Sequence, residues 1–500
     1  MKGTLSPALI LLTILAYFLM LIGISWLTSR KADSKDFYLA GRKAPWWLVA
    51  IGMVGASMSG VTFISIPGAI GAGGLNRDFS YLQVVFGYMV GYLVIATVLM
   101  PMYYRLNLTS IYSYLGKRFG FYSNKTGAAF FLLSRVIGAS FRLFLVAMVL
   151  HQFVLGIPPL NVPFWATVFV TIVLIWVYTF RGGIKTIVWT DAVQTVMFIT
   201  AVVATIVFIG QAIGEDLGGL VAAVQKSQYS KIFFLEGGWG DPNNFFKQFF
   251  SGALITIVMT GLDQDMMQKN LACRNIRDAQ KNMFTFSIIL FVTNLIFLTL
   301  GALLYLYAAH TAMELPAKSD YLYPTIALQH LSPVVGLVFM IGLIAAAYSS
   351  ADSALTALTT SFCVDFLNME DNGKPEPQNR RTRVWVHIGF SLVLMLAILV
   401  FKALNNDAVI NELFKAAGYT YGPLLGLFTF GMLTKYQIKD KWVIAVCLAA
   451  PVLTWIIVDL AAKYWNFQFG FLNLALNGLL TILGLWLISI RSDKMVLSNE

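Results

Sequence analysis

Three cysteines in 500 residues, Cys273, Cys363 and Cys447, are too few and too scattered for a disulfide or zinc framework. Charge is also scarce. Only 12% of residues are charged, 58% are hydrophobic, and the mean hydropathy is +0.73. A soluble fold cannot hide that much apolar surface. The four histidines, His151, His310, His330 and His387, lie at or near the ends of apolar runs and cannot meet at one depth. Neither H-E-x-x-H nor G-x-S-x-G occurs, which argues against an intramembrane enzyme. A net charge of +11 would suggest nucleic acid in a soluble protein. Here the positive charge sits in loops that set topology, and no nucleic-acid partner is expected.

What the chain has instead is apolar runs of about 20 residues, the length that crosses roughly 30 Å of hydrocarbon. The pattern predicts thirteen spans: 6–27, 46–71, 78–100, 124–155, 161–180, 185–211, 245–269, 279–308, 325–366, 380–402, 407–433, 439–460 and 468–490. Loops after odd-numbered spans, with the C-terminus, hold 24 of the 35 Lys and Arg residues. By the positive-inside rule the N-terminus is outside and the C-terminus cytoplasmic. The run 6–27 reads as a retained anchor, because its positive flank, Arg30 and Lys31, follows it and no cleavage site is evident. The sequons at Asn107 and Asn124 fall on the inner side, which fits a bacterial inner membrane.

Spans two to six and seven to eleven form two groups of five. Five is odd, so the second group starts from the opposite side of the membrane. That is the requirement for an inverted repeat, in which solute binds where the first helix of each repeat is broken. The expected division is 1–45, an anchor helix and loop; 46–211, the first repeat; 212–244, an extracellular loop; 245–433, the second repeat; and 434–500, two further helices and a tail. Gly52, Gly55, Ala56, Ser57, Ser59 and Gly60 make a plausible first break, and Ser251, Gly252, Thr256, Thr260 and Gly261 a second. The competing explanation is that such small residues only let helices pack closely.

The stretch Ala345–Phe366, AAAYSSADSALTALTTSFCVDF, carries seven Ser/Thr and two Asp within a membrane run. Back-bonding to the helix explains one or two hydroxyls. It does not explain Asp352, since a midmembrane carboxylate costs about 2.5–3.5 kcal/mol even on the mild insertion scale. A bound cation would compensate. Sodium wants several hard oxygens, as calcium does. The candidates are the Ser349 and Ser350 hydroxyls, the Ala346 carbonyl, and carbonyls of Gly55 and Met58, the last two uncertain by a residue either way.

Six stretches in order resemble the sodium:solute symporter family: residues 37–68, 108–120, RGGIKTIVWTDAVQ (181–194), GLDQDMMQKNLA (261–272), the Ser-rich stretch, and YGPLLGLFTFGMLTK (421–435). The resemblance implies an all-α polytopic protein with a LeuT-type five-plus-five inverted repeat, plus one N-terminal and two C-terminal helices, coupling solute uptake to sodium. It puts the family's conserved sodium site on Gly55, Met58, Ala346, Ser349 and Ser350. Some members, notably bacterial sialic acid transporters, add a second sodium, aligned here with Asp191, Ser349, Asp352 and Ser353. One family serine is replaced by Asp352, which could strengthen a sodium site or carry a proton. Asp191 could instead cap its helix or pair with Arg181 or Lys185.

The same resemblance places the solute carboxylate on Arg135 and the rest of the solute near Ser59, Thr62, Tyr81, Thr256, Met259 and Thr260. Arg142, two turns on, would pair with a protein acid. The family's glutamine falls on Val85, so a sialic acid would lack one partner, and a galactose-type pocket is not expected. The expected activity is sodium-coupled import of a small organic carboxylate by a monomer in the lipid bilayer, with two sodium ions and Arg135 supporting each other. A neutral solute, proton coupling at Asp191 or Asp352, and a transporter-like sensor are the alternatives. Glu412 and Lys415 are expected simply to pair.

Overall fold

A computed structural model of the protein describes residues 7–29, 34–179, 183–369, 373–404 and 409–490. Arg30, Lys31, Arg181 and the tail from Arg491 lie outside the described residues. The chain is built almost wholly of helices, as an apolar environment demands: only internal hydrogen bonds satisfy the backbone there.

Helix α1 is Pro7–Ser29, and α2 (Trp46–Ser57) is followed after two residues by α3 (Gly60–Ala69). Then come α4 (Tyr81–Val94), α5 (Phe121–Leu150), α6 (Phe164–Thr179) and α7 (Ile184–Ile213). The second group has α8 (Phe245–Thr256), α9 (Gln264–Leu271), α10 (Ile276–His310), α11 (Pro333–Ser361), α12 (Glu376–Leu404), α13 (Val409–Thr420) and α14 (Gly422–Leu433). Helices α15 (Val443–Trp465) and α16 (Asn473–Leu487) end the described chain.

Among the described residues, nine helices are long and apolar enough to cross a membrane, and eleven segments are if each of two bent pairs counts as one span. The remaining two predicted spans fall on shorter apolar helices, Phe164–Val177 and Gly422–Leu433. Two boundaries differ from expectation. The ninth span starts at Pro333, because Ser332 is extended (ψ 154°) and proline takes the first helical position. The eleventh is cut at Tyr421, where Gly422–Pro423 opens a new helix.

Helix α11 is the centre of the molecule. Every residue from Gly342 to Ser361 is buried, against α7, α5 and α2. Helix α4 lies along α8, with Gly91 at the crossing, where a Cβ would stand 2.6 Å from the Thr256 Cβ. Gly252 faces the Val84 backbone in the same seam. It therefore serves close packing, not the predicted break.

Candidate functional site

Two bent pairs, α2 with α3 (56°) and α8 with α9 (64°), open the two groups. At the first, Met58 (φ −91°, ψ 77°) leaves helical geometry and Ser59 is extended. The last backbone bond of α2 runs from the Met58 N–H to the Val54 carbonyl at 2.7 Å. The next runs from the Phe63 N–H to the Ser59 carbonyl at 3.1 Å. Carbonyls 55–58 between them receive no backbone donor.

The second break falls at Leu262–Asp263, a residue or two beyond the predicted small residues, because Asp263 restarts the helix. Its carboxylate accepts the N–H groups of Asp265 (2.9 Å) and Met266 (3.4 Å). Here the freed carbonyls are covered: Tyr103 donates to Gly261 and Tyr112 to Leu262, each at 2.9 Å. The second break is thus sealed by tyrosines, and the first is open. Tyr112→Phe should bare the buried Leu262 carbonyl and cost about 1–3 kcal/mol, read as a lowered thermal unfolding midpoint in detergent.

Helix α11 faces the open break, and its hydroxyls can be accounted for one by one. Ser350 donates to the Ala347 carbonyl (3.0 Å), Ser353 to the Ser349 carbonyl (3.0 Å), and Thr359 to the Leu355 carbonyl (2.8 Å). Thr360 accepts from Gln268 (3.0 Å), and Ser361 donates to Asp365 (2.8 Å). Ser349 and Thr356 are buried with no hydrogen-bond partner. Ser349 lies against the break: a Cβ built on Gly55 would stand 2.7 Å from its Oγ. Thr195 of α7 ties the same spot, accepting the Gly55 N–H (3.0 Å) and donating to the Asp191 carbonyl (2.7 Å). An orphan hydroxyl, released carbonyls and a hydroxyl with one lone pair to spare form the hard-oxygen set that an alkali cation takes. The five residues predicted for sodium lie on the two elements that meet here.

Asp191 is wholly buried beside this cluster, and Gly52 lets α2 approach it, a Cβ there standing 3.0 Å from the Asp191 Cβ. Its Oδ2 lies 2.6 Å from the Nζ of Lys269, itself 1% exposed. Arg135 pairs with Asp265 and stands 3.8 Å from Asp263. Asp265 also receives the Ser353 hydroxyl (3.3 Å), and Asp263 that of Tyr421 (2.5 Å).

Next to the first break is a cavity of about 70 Å³. Ser59, Thr62, Tyr81, Arg135, Thr256, Met259 and Thr260, all seven residues predicted for the solute, line it. Arg142, Tyr88 and Phe414 line it too. The Tyr81 and Tyr88 hydroxyls bond at 2.9 Å, and Tyr81 stacks on Phe414 with ring centroids 6.5 Å apart.

The pattern of the sodium:solute symporter family matches residues 37–438. The chain belongs to that family. The symporter is 25% identical to the sodium/sialic acid symporter NanT of Aliivibrio fischeri, over 88% of this chain and 85% of that one. It is 26% identical to the human sodium/iodide cotransporter, over 80% of this chain and 61% of that one. A substrate-bound, outward-open Na+-coupled sialic acid symporter has the same fold, with a TM-score of 0.80 and 19% identity, covering 96% of this chain and 97% of that one. The fold also matches Mhp1, a nucleobase-cation-symport-1 transporter, at a TM-score of 0.57 and 12% identity, over 91% and 96%. The protein is a sodium-coupled symporter and not an enzyme, and the LeuT-type architecture expected from the sequence is the one observed.

At three places the symporter's side chains are arranged differently from the expected site. Arg135, expected to hold a solute carboxylate, is held by Asp265 and Asp263, while Arg142, expected to pair with an acid, makes no hydrogen bond or ion pair among the described residues. The position expected of a second cation at Asp191 faces the ammonium of Lys269, and the one Ser353 hydroxyl hydrogen is shared between the Ser349 carbonyl and Asp265. Lys269, counted with the topology-setting loop charges, is inside the protein. Thr195 was missed altogether. Its place four residues after Asp191, on the same helix face, was the available signal. Glu412 and Lys415 pair at 2.7 Å on the surface, as expected.

Proposed function

We propose that the symporter imports a small organic carboxylate with one sodium ion by alternating access, from a single chain whose N-terminus is outside and C-terminus cytoplasmic. The observation that carries this is a single cavity lined by the seven expected solute residues, Arg135 among them, and by a second buried arginine, Arg142, directly against a helix break with uncovered carbonyls. Sodium would sit on carbonyls of Gly55 and Met58, the Ala346 carbonyl, and the Ser349 and Ser350 hydroxyls. Charge neutrality in the membrane interior then favours an anionic solute beside it. Relatives named for sialic acid, iodide and monocarboxylates all carry anions.

Size narrows the choice. Pockets for drug-sized ligands run from about 300 Å³ upward, so a cavity of about 70 Å³ suits a solute of a few heavy atoms better than a sialic acid. Access also fits import. A separate surface cavity of about 930 Å³ is lined by residues that include 71–75, 241–243, 315–320 and 467–471. These stretches belong to loops on the side poor in Lys and Arg, which the positive-inside rule puts outside.

Uptake into proteoliposomes tests the reading. Inward sodium should drive accumulation of pyruvate over glucose, and potassium should not. Glucose uptake alone, or uptake indifferent to sodium, would refute it. With Lys269 supplying the cation at Asp191, one sodium and one monoanion move no net charge. A tenfold sodium gradient then provides about 1.4 kcal/mol, and the membrane potential adds nothing. A potential imposed with potassium and valinomycin should leave uptake unchanged, with a sodium Hill coefficient near one. Two sodium ions per monoanion would add about 2.3 kcal/mol per 100 mV and make uptake rise steeply with a negative interior.

A further inference from the structure

We infer that Arg142, and not Arg135, is the side chain that binds the solute's anionic group. The inference rests on the carboxylate reading above and assigns its specificity to one residue. Both arginines lie on α5, seven residues apart and so on one helix face, and both line the solute cavity. Their surroundings differ. The Arg135 guanidinium is engaged by the Asp265 carboxylate and stands 3.8 Å from Asp263. Its charge is spent inside the protein, on the helix that follows the second break.

Arg142 is 7% exposed; its Nε is buried with no hydrogen-bond partner, as is that of Arg135, but unlike Arg135 it makes no ion pair among the described residues. The charged groups that act on it are Arg135 and Asp263. That carboxylate is already used: it accepts two backbone N–H groups of α9 and the Tyr421 hydroxyl, and faces Arg135. A guanidinium that faces a cavity inside a membrane protein, with its Nε buried and unbonded and no ion pair among the described residues, carries a large desolvation cost. A carboxylate entering the cavity would offset that cost with two parallel, charge-assisted hydrogen bonds, a geometry that guanidinium fits and ammonium does not. The Tyr81–Tyr88 hydroxyl pair and the hydroxyls of Ser59 and Thr62 are left for the polar remainder of a short solute.

The test uses the full-length protein in detergent and in proteoliposomes, with pyruvate as probe. Arg142→Lys and Arg142→Gln are compared with the parent. Sodium alone should stabilise both variants against heat as it does the parent, which reports an intact fold and ion site. Further stabilisation by pyruvate should disappear in Arg142→Gln. In Arg142→Lys the KM for pyruvate should rise tenfold or more, since one charge remains without the planar fork. Pyruvate binding by both variants with parental affinity would overturn the assignment and leave sodium-coupled carboxylate transport standing. A parent that binds glucose and neither pyruvate nor N-acetylneuraminate would overturn the assignment and the carboxylate reading together. Should Arg142→Gln not fold, the KM of Arg142→Lys decides alone.

Discussion

Replacing Lys269 by glutamine should cost the symporter about 3–5 kcal/mol of stability and most of its uptake, because it strands the carboxylate of Asp191 in the protein interior. The two groups are 2.6 Å apart, and both side chains are essentially inaccessible. Their ion pair ties α9 to α7, and so connects the second half of one broken helix to the element that braces the other break. Adding Asp191→Asn to Lys269→Gln removes the stranded charge. Neutralising both members of a buried pair is often nearly free, so the double variant should recover most of the lost stability while the single one does not. The measurement is a double-mutant cycle on thermal unfolding in detergent, with pyruvate uptake in parallel. Parental stability in Lys269→Gln would mean that something other than Lys269 compensates Asp191. A sodium Hill coefficient that climbs toward two in Lys269→Gln would fit this picture, since a free carboxylate near the Ser349 hydroxyl would accept the metal that the ammonium displaces.

How far the sequence could be read follows from the range of the forces involved. Apolar runs announce membrane helices directly, because hydrocarbon thickness sets their length, and thirteen expected spans each found a helix at their place. The first break was visible because glycine and serine crowd at 52–60, and no other short stretch of α2 can leave helical geometry so cheaply. The Ser-rich α11 was visible because hydroxyls in hydrocarbon need a reason. Partners of buried charges were not. Arg135 finds Asp265 at a separation of 130 residues, and Asp191 finds Lys269 at 78. Nothing local chooses between Arg135 and Arg142, or between Arg181, Lys185 and Lys269. The acids that face Arg135, Asp263 and Asp265, sit in the GLDQD motif. Two acids one residue apart in a membrane segment require partners, which only the folded chain supplies. The seam between α4 and α8 misled in the other direction: Gly252 looked like a weak point and is a contact surface.

Gly55→Val should abolish sodium-dependent uptake outright, and Ser349→Ala should raise the sodium concentration for half-maximal uptake at least tenfold. The two act on one place from opposite sides. At Gly55 even a methyl group would come within 2.7 Å of the Ser349 Oγ and closer still to Thr195, so the helices must part or the hydroxyls must turn. Thr195 cannot yield without giving up the Gly55 N–H and the Asp191 carbonyl that it bridges. Either movement pulls the released carbonyls of residues 55–58 away from α11. Ser349→Ala removes one ligand and, beyond that, only a weak contact with the Asp191 carboxylate, because its hydroxyl makes no full hydrogen bond among the described residues. Its thermal stability without sodium should therefore equal or exceed the parent's, since a buried unsatisfied hydroxyl has been deleted. The extra stability that sodium confers should shrink. That opposition separates an ion ligand from a packing residue: a Ser349 that mattered only for packing would lose stability on truncation and keep its sodium affinity. Thr356, the other hydroxyl of α11 without a partner, provides the control. It lies two turns further along the helix, and Thr356→Ala should leave the half-saturating sodium concentration where it was. An equal loss of sodium affinity at both positions would move the ion away from the first break and undo the assignment of its ligands.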